Sequence, residues 1–163
     1  MLKAIDAGML AMEMKGEHTI PATRAAVWAA LNDVAILKAA IPGCDSIERL
    51  SETEIEATVT AKVGPVKASF KGLVTLSDLD PPNGYTIRGE GKGGVAGFAK
   101  GGAKVRLTDV AEGTRLSYDV DASVGGKLAQ IGGRLIDSTA KKLADEFFAR
   151  LGKLAAGSAG PET

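Results

Sequence analysis

His18 and Cys44 stand alone, for the 163-residue sequence holds one histidine and one cysteine. A single imidazole excludes paired-histidine metal sites and leaves any nucleophilic triad one candidate base. No serine or cysteine nucleophile motif surrounds His18, which lies between Glu17 and Thr19 on a strand-like segment. A solvent-facing or cavity-rim histidine fits that setting better than a catalytic one. Cys44 follows Ile41-Pro42-Gly43 at a helix-to-strand junction, where a small packed thiol in a turn is expected. Asp119 and Asp121 share the outward parity of a strand and read as solvated carboxylates. The strongest chemical signal is missing bulk. Of the twenty-one glycines, seven fall between Gly89 and Gly102. Tyr85, Ile87, Gly89, Gly91 and Gly93 alternate onto one face, so side-chain volume drains away along it. Glycines in strands mark bulges or close backbone approach; here they also leave room for a ligand. Ala57, Ala61, Ala68, Ala103 and Ala122 thin the same inner faces. A phosphate-binding loop is not implied, since these glycines sit on a strand and turn rather than before a helix.

Something must enclose that space, and the period of the apolar residues says what. Met12, Met14 and Ile20 alternate with polar neighbours and predict a first strand that Pro21 ends. Thr23 and Asp33 are placed to cap two short helices, the first carrying Val27, Trp28 and Leu31, the second Val34, Ile36 and Leu37. Pro42-Gly43 stops helical structure. Residues 45–124 read as six strands joined by short turns, and adjacent strands joined so must be antiparallel. After Gly125-Gly126 the period lengthens: Leu128, Ile131, Leu135, Thr139, Leu143, Phe147 and Leu151 recur at steps of three or four. This predicts one amphipathic helix over 127–151, roughly 37 Å long, whose natural partner is the apolar face of the sheet. The expectation is an α+β domain over 12–154, a seven-stranded antiparallel sheet curved around a long C-terminal helix. Residues 1–11 are expected to be a leader or flexible extension, and 155–163 a flexible tail.

Twenty basic residues balance twenty acidic ones. Without an overall basic field, nucleic acid is not an expected partner. No run approaches the roughly twenty apolar residues that span a bilayer, and the start makes a poor secretory signal, broken by Asp6 and Gly8. One cysteine excludes an internal disulfide and fits a reducing, cytoplasmic setting.

Specific stretches carry a family resemblance: Met14-Lys15-Gly16-Glu17, Val27-Trp28-Ala29-Ala30-Leu31-Asn32-Asp33, Ile41-Pro42-Gly43-Cys44, Gly113-Thr114-Arg115-Leu116, and Val124 to Gly132 through Phe147-Phe148. In unbroken order from about Met12 to Leu151, they resemble the G subunit of aerobic carbon monoxide dehydrogenase. That resemblance implies a START-like, polyketide-cyclase-like helix-grip fold that holds hydrophobic ligands between sheet and helix. It further implies an accessory, non-catalytic partner of a molybdenum hydroxylase, recruiting it to the inner membrane or carrying a quinone to it, with no tightly bound cofactor. Family members often carry a longer C-terminal extension associated with membrane attachment. The sequence ends nine residues after Leu154, so anchoring by that route is not expected.

Strand parity and helix spacing name Val59, Phe70, Ile87, Gly91, Phe98, Tyr118, Leu128, Leu135 and Thr139 as the ligand-binding residues. Gly132 and Gly133, inside the expected helix, are candidates for a gate where it yields, and alanines there are expected to stiffen it. Two other readings belong beside the carrier. One is a cyclase, dehydratase or hydrolase of the same superfamily acting on an aromatic or polyketide substrate, using His18, Tyr118 or Thr139. The other is an assembly factor with no ligand.

Overall fold

Alternation over residues 54–125 produces long strands because each side chain that faces the interior is followed by one that faces water. The computed structural model describes residues 2–4 and 9–158. Strands β1 (Leu2–Ala4) and β2 (Met9–Ile20) precede helices α1 (Arg24–Leu31) and α2 (Val34–Ala40). Then come β3 (Cys44–Arg49), β4 (Glu54–Val63), β5 (Val66–Asp80), β6 (Gly84–Lys92), β7 (Phe98–Val110) and β8 (Gly113–Gly125). A short α3 (Lys127–Gln130) and a long α4 (Gly133–Ser158) follow. The strands make one antiparallel sheet in the order β1-β2-β8-β7-β6-β5-β4-β3. The expected seven strands are all present, and β1 extends the sheet at one edge.

Both short helices start where the sequence says. The Thr23 hydroxyl accepts from the Ala26 amide at 3.1 Å, and the Asp33 carboxylate accepts from the Ala35 and Ile36 amides. Each satisfies amides that have no partner inside the helix. Together α1 and α2 cover one end of the sheet and pack on α4. The main core gathers Ile20, Val27, Leu31, Leu107, Leu116 and Leu151, all buried. A second, smaller cluster of Met12, Val124, Leu128 and Ile136 lies under α3 and the start of α4.

The ends of the domain differ from expectation. Strand β2 opens at Met9 rather than Met12, because β8 runs on to Gly125 and offers its backbone groups that far. Leu2–Ala4 then pairs back onto Leu10–Met12. Residues 2–4 and 9–11 are therefore sheet, and the rest of the expected leader lies outside the described residues. At the other end α4 continues to Ser158, and Ala155 is fully buried in the main core. Residues 155–158 of the expected tail are thus helix; 159–163 lie outside the described residues.

The larger correction concerns the helix itself. It is two helices, broken at Ile131-Gly132, with Gly132 at φ +104°. Gly132 is a joint and Gly133 opens α4, so neither lies within a continuous helix. A Cβ at Gly132 would meet nothing within 4 Å, which leaves backbone conformation as the sole obstacle to a side chain. Gly132→Ala should therefore destabilise the protein by about 1–2 kcal/mol, not stiffen it, as urea denaturation will measure. A stabilised variant would mean the joint can straighten into helix.

Candidate ligand cavity

The inner face of the sheet is built in cross-strand rows. One row reads Leu76, Ile87, Ala103, Val120 and Met14 across β5, β6, β7, β8 and β2. The next reads Tyr85, Val105, Tyr118 and Gly16. These rows floor a cavity of about 430 Å³. Its roof is Leu143, Ala144, Phe147 and Phe148 of α4, and its end wall is Leu31, Leu37 and Ile41-Pro42. A cavity of this size and apolar character is of the kind that takes a small organic ligand.

Next to it the sheet is bald. Gly72, Gly89, Gly91 and Gly101, with Ala99 and Ala122, occupy neighbouring inward positions on four strands. A second hollow of about 250 Å³ lies there and shares Ile87, Ala103 and Val120 with the first. The glycines have two different reasons to be present. At Gly101 a Cβ would fall 2.7 Å from the Ala122 Cα, so close strand approach requires glycine. At Gly91 it would meet nothing nearer than the Lys71 carbonyl at 4.0 Å. The absent side chain there simply leaves space.

Tyr118 lines one corner of the cavity, beside a cluster of polar groups outside the wall. Tyr118 spreads its phenol across Gly16, and a side chain at Gly16 would run into that ring. Phe148 stacks on both Tyr118 (5.2 Å between centroids) and His18 (4.7 Å). His18 Nε2 stands 3.5 Å from Asp145 Oδ1, and the same carboxylate also receives Lys141 at 3.1 Å. Burial pushes the Tyr118 phenol above its ordinary pKa, with the Asp145 charge adding to the rise. Burial likewise holds the His18 imidazole below the ordinary value; Asp145 pulls the other way and Lys141 reinforces the fall. Tyr85, on the opposite flank, is buried against Trp28, and desolvation raises its pKa strongly. Burial also lifts the Cys44 thiol, whose Sγ is 3.4 Å from the Ser46 carbonyl; it is no thiolate nucleophile at neutral pH. Among the described residues no group of three or more His, Cys, Asp or Glu side chains could hold a metal ion.

Of the residues named from sequence, Val59, Ile87 and Tyr118 line the main cavity. Phe70 and Leu128 belong to the second cluster instead. Gly91 lies in the bald strip. Phe98 pairs with Gly125 and turns its ring over that glycine on the outer face, a one-residue parity change after the glycine-rich turn. Leu135 is 44% exposed and Thr139 is off the cavity wall. Their misplacement follows from helix geometry. A step of four residues overshoots a full turn by about 40°, so walking back from Leu151 by fours puts Leu135 about 160° away. The inward-facing stripe is Ile136, Ala140, Ala144, Phe148 and Leu151, within about 60° of Leu151. The end wall from α1 and α2 carried no signal in strand parity at all.

A family model described as the carbon monoxide dehydrogenase G subunit (CoxG) matches residues 16–155. The chain belongs to that family. Among solved structures, a conserved protein from Geobacillus kaustophilus is 32% identical with a TM-score of 0.84, covering 91% of this chain and 98% of its own. A Thermus thermophilus protein, TTHA0849, is 16% identical at TM-score 0.66, covering 91% and 100%. An aromatase/cyclase, ZhuI, from Streptomyces sp. R1128 is 12% identical at 0.62, covering 89% and 93%. The last two share the fold alone, which is the START-like, polyketide-cyclase-like helix-grip fold. Among curated proteins none matches the chain. In this CoxG-family chain the apolar cavity has room for a hydrophobic ligand. No helix among the described residues is long and apolar enough to cross a membrane.

Because the folded state holds His18 less basic than the unfolded chain does, protonation favours unfolding. Stability should fall as pH drops through and below about 6.5, the ordinary histidine value. In His18→Gln the melting temperatures at about pH 7.5 and about pH 5.5 should lie closer together. An unchanged gap would mean that the imidazole titrates equally freely in both states.

Proposed function

We propose that this CoxG-family protein binds and hands on an apolar small molecule, a quinone, as a non-catalytic accessory of a carbon monoxide dehydrogenase-type molybdenum hydroxylase. The ligand is cargo rather than a tightly held cofactor. In this reading the protein works at the cytoplasmic face of the inner membrane, helping to bring the enzyme there or to deliver its electron acceptor. The observation that carries the proposal is the apolar cavity between sheet and α4, whose lining brings hydroxyls from Tyr118 and Tyr85 alone. A flat, largely apolar molecule with few hydrogen-bonding oxygens matches that lining.

The superfamily's cyclases, dehydratases and hydrolases supply the rival reading, which needs polar groups converging inside the cavity. His18 is not among the cavity walls and Thr139 is off them, so Tyr118 and Tyr85 alone bring hydroxyls. A ligand-free assembly factor has no use for a hollow of this size under its longest helix. Gly132 and Gly133 retain their proposed role as a gate in a new form: α3 hinges about the Gly132 joint and uncovers the second cluster.

Trp28 reports on the site, since its ring lies 5.1 Å from that of Tyr85 on the cavity wall. Titration with ubiquinone-1 or menadione should quench Trp28 fluorescence saturably. Ala103→Phe, which places a ring on the cavity floor, should leave the protein folded and weaken that binding by on the order of tenfold or more. Saturable quenching of equal affinity in the folded variant would sink the cavity as the quinone site.

A further inference from the structure

The net charge of zero conceals a strong segregation. No acidic residue occurs from Ala57 to Leu76, from Gly91 to Thr108 or from Ala122 to Ile136, while nine lysines and arginines do, five of them (Lys62, Lys67, Lys92, Lys127 and Arg134) in or beside the turns at one end. The antiparallel order brings the turns within these three stretches to the same end of the molecule. A Cβ at Gly64, in the β4–β5 turn, would lie 3.3 Å from Leu135 and 3.5 Å from Ile131 at the α3–α4 joint. Gly97, closing the β6–β7 turn, abuts Gly126 at the start of α3. At the other end the turns are acidic: Glu52 and Glu54 at β3–β4, Asp78 and Asp80 at β5–β6, Asp109 and Glu112 at β7–β8.

The basic end also exposes apolar side chains. Val95, at the tip of the single 3₁₀ turn between β6 and β7, is 86% exposed, and Leu135 beside the joint is 44% exposed. Around them Lys62 faces Lys67 across the β4–β5 hairpin, with Lys92, Lys127 and Arg134 nearby, all solvent-exposed. Asp137, one turn beyond Arg134, is the nearest acid on α4. Exposed aliphatic tips ringed by lysines suit the boundary between anionic headgroups and acyl chains. An acidic protein surface would match the lysines but would leave Val95 without a partner.

We infer that this end, formed by the β4–β5 turn, the β6–β7 turn and the α3–α4 joint, docks on an anionic lipid surface. The inference gives the membrane part of the proposed function a definite face, and it rests on nothing about the cavity, so either can fail alone. It also places the Gly132 joint at the lipid, where an apolar cargo would enter or leave.

Full-length protein is to be sedimented with vesicles of phosphatidylcholine alone or doped with phosphatidylglycerol, at rising salt. The expected result is binding to the anionic vesicles only, weakened by salt. Lys62→Glu with Lys67→Glu should reduce partitioning by about tenfold or more, while Arg150→Glu with Lys153→Glu, at the far end of α4, should not. Val95→Ser with Leu135→Ser should weaken binding at every salt concentration. Thermal melts confirm that each variant is folded, and ubiquinone-1 quenching of Trp28 in the same variants tests the cavity separately. No binding by the wild type, equal binding to neutral vesicles, or equal losses from the two charge-reversal pairs would each overturn the inference.

Discussion

A helix laid across a curved sheet can press its side chains down to the strands or stand away from them. In this fold α4 stands away. The side chains that set the distance are Phe147 and Phe148, which meet edge to face at 4.9 Å, and Phe148 rests on Tyr118 and His18 rather than on bare strand. Beneath them the sheet offers Ala103 and Val120, followed by the glycines of the bald strip. Large residues above and small ones below leave a volume that neither surface fills. Interiors are normally packed to crystal density, so a hollow of about 430 Å³ forgoes dispersion contacts along its whole lining. The remaining stability comes from the two filled regions on either side: the α1–α2–α4 junction around Leu151 and Val27, and the small cluster under α3.

This arrangement explains why several inner-face residues retain exposure although parity turns them inward. Ile87, Ala103 and Val120 are half-buried, whereas Leu107 and Leu116, farther along the same face, are buried. The difference is what stands above them. Leu107 and Leu116 lie under the helices at the filled end, and Ile87 lies under the hollow. The Tyr118 phenol, wedged between the clearance at Gly16 and the ring of Phe148, marks where the filled region gives way to the hollow one.

From β2 to β8 the order of elements, the antiparallel pairing of neighbours and the helix caps were legible in the sequence, because each depends on local patterns: alternation, turn residues and capping side chains. The site was legible only in part. Val59, Ile87 and Tyr118 follow from strand parity, which holds along an unbroken strand. Phe98 lies just past a turn of three glycines, where parity restarts without any mark in the sequence. Leu135 and Thr139 lie on a repeat of four that looks apolar in the sequence yet drifts around the helix. The break at Gly132 was signalled by a glycine pair, but a pair does not say which residue takes the left-handed conformation. The contributions of Leu31, Leu37 and Pro42 depend on how α1 and α2 settle against α4, which is a tertiary matter.

The strand order carries a consequence for how the chain comes to be folded. From β3 to β8 every strand pairs with its sequence neighbour, which is a quick and local process. The exception is β2, whose Met9 meets Gly125 and whose Ile20 meets Thr114. The roof of the cavity, α4, is the last element of the chain described. During synthesis the β3–β8 meander can therefore form while its inner face, with Ile87, Val105 and Val120, is still uncovered. Until the final turns of α4 emerge, that face is an exposed apolar surface on a growing chain, and such surfaces invite association with other chains. The same late helix that creates the hollow also ends that vulnerable interval.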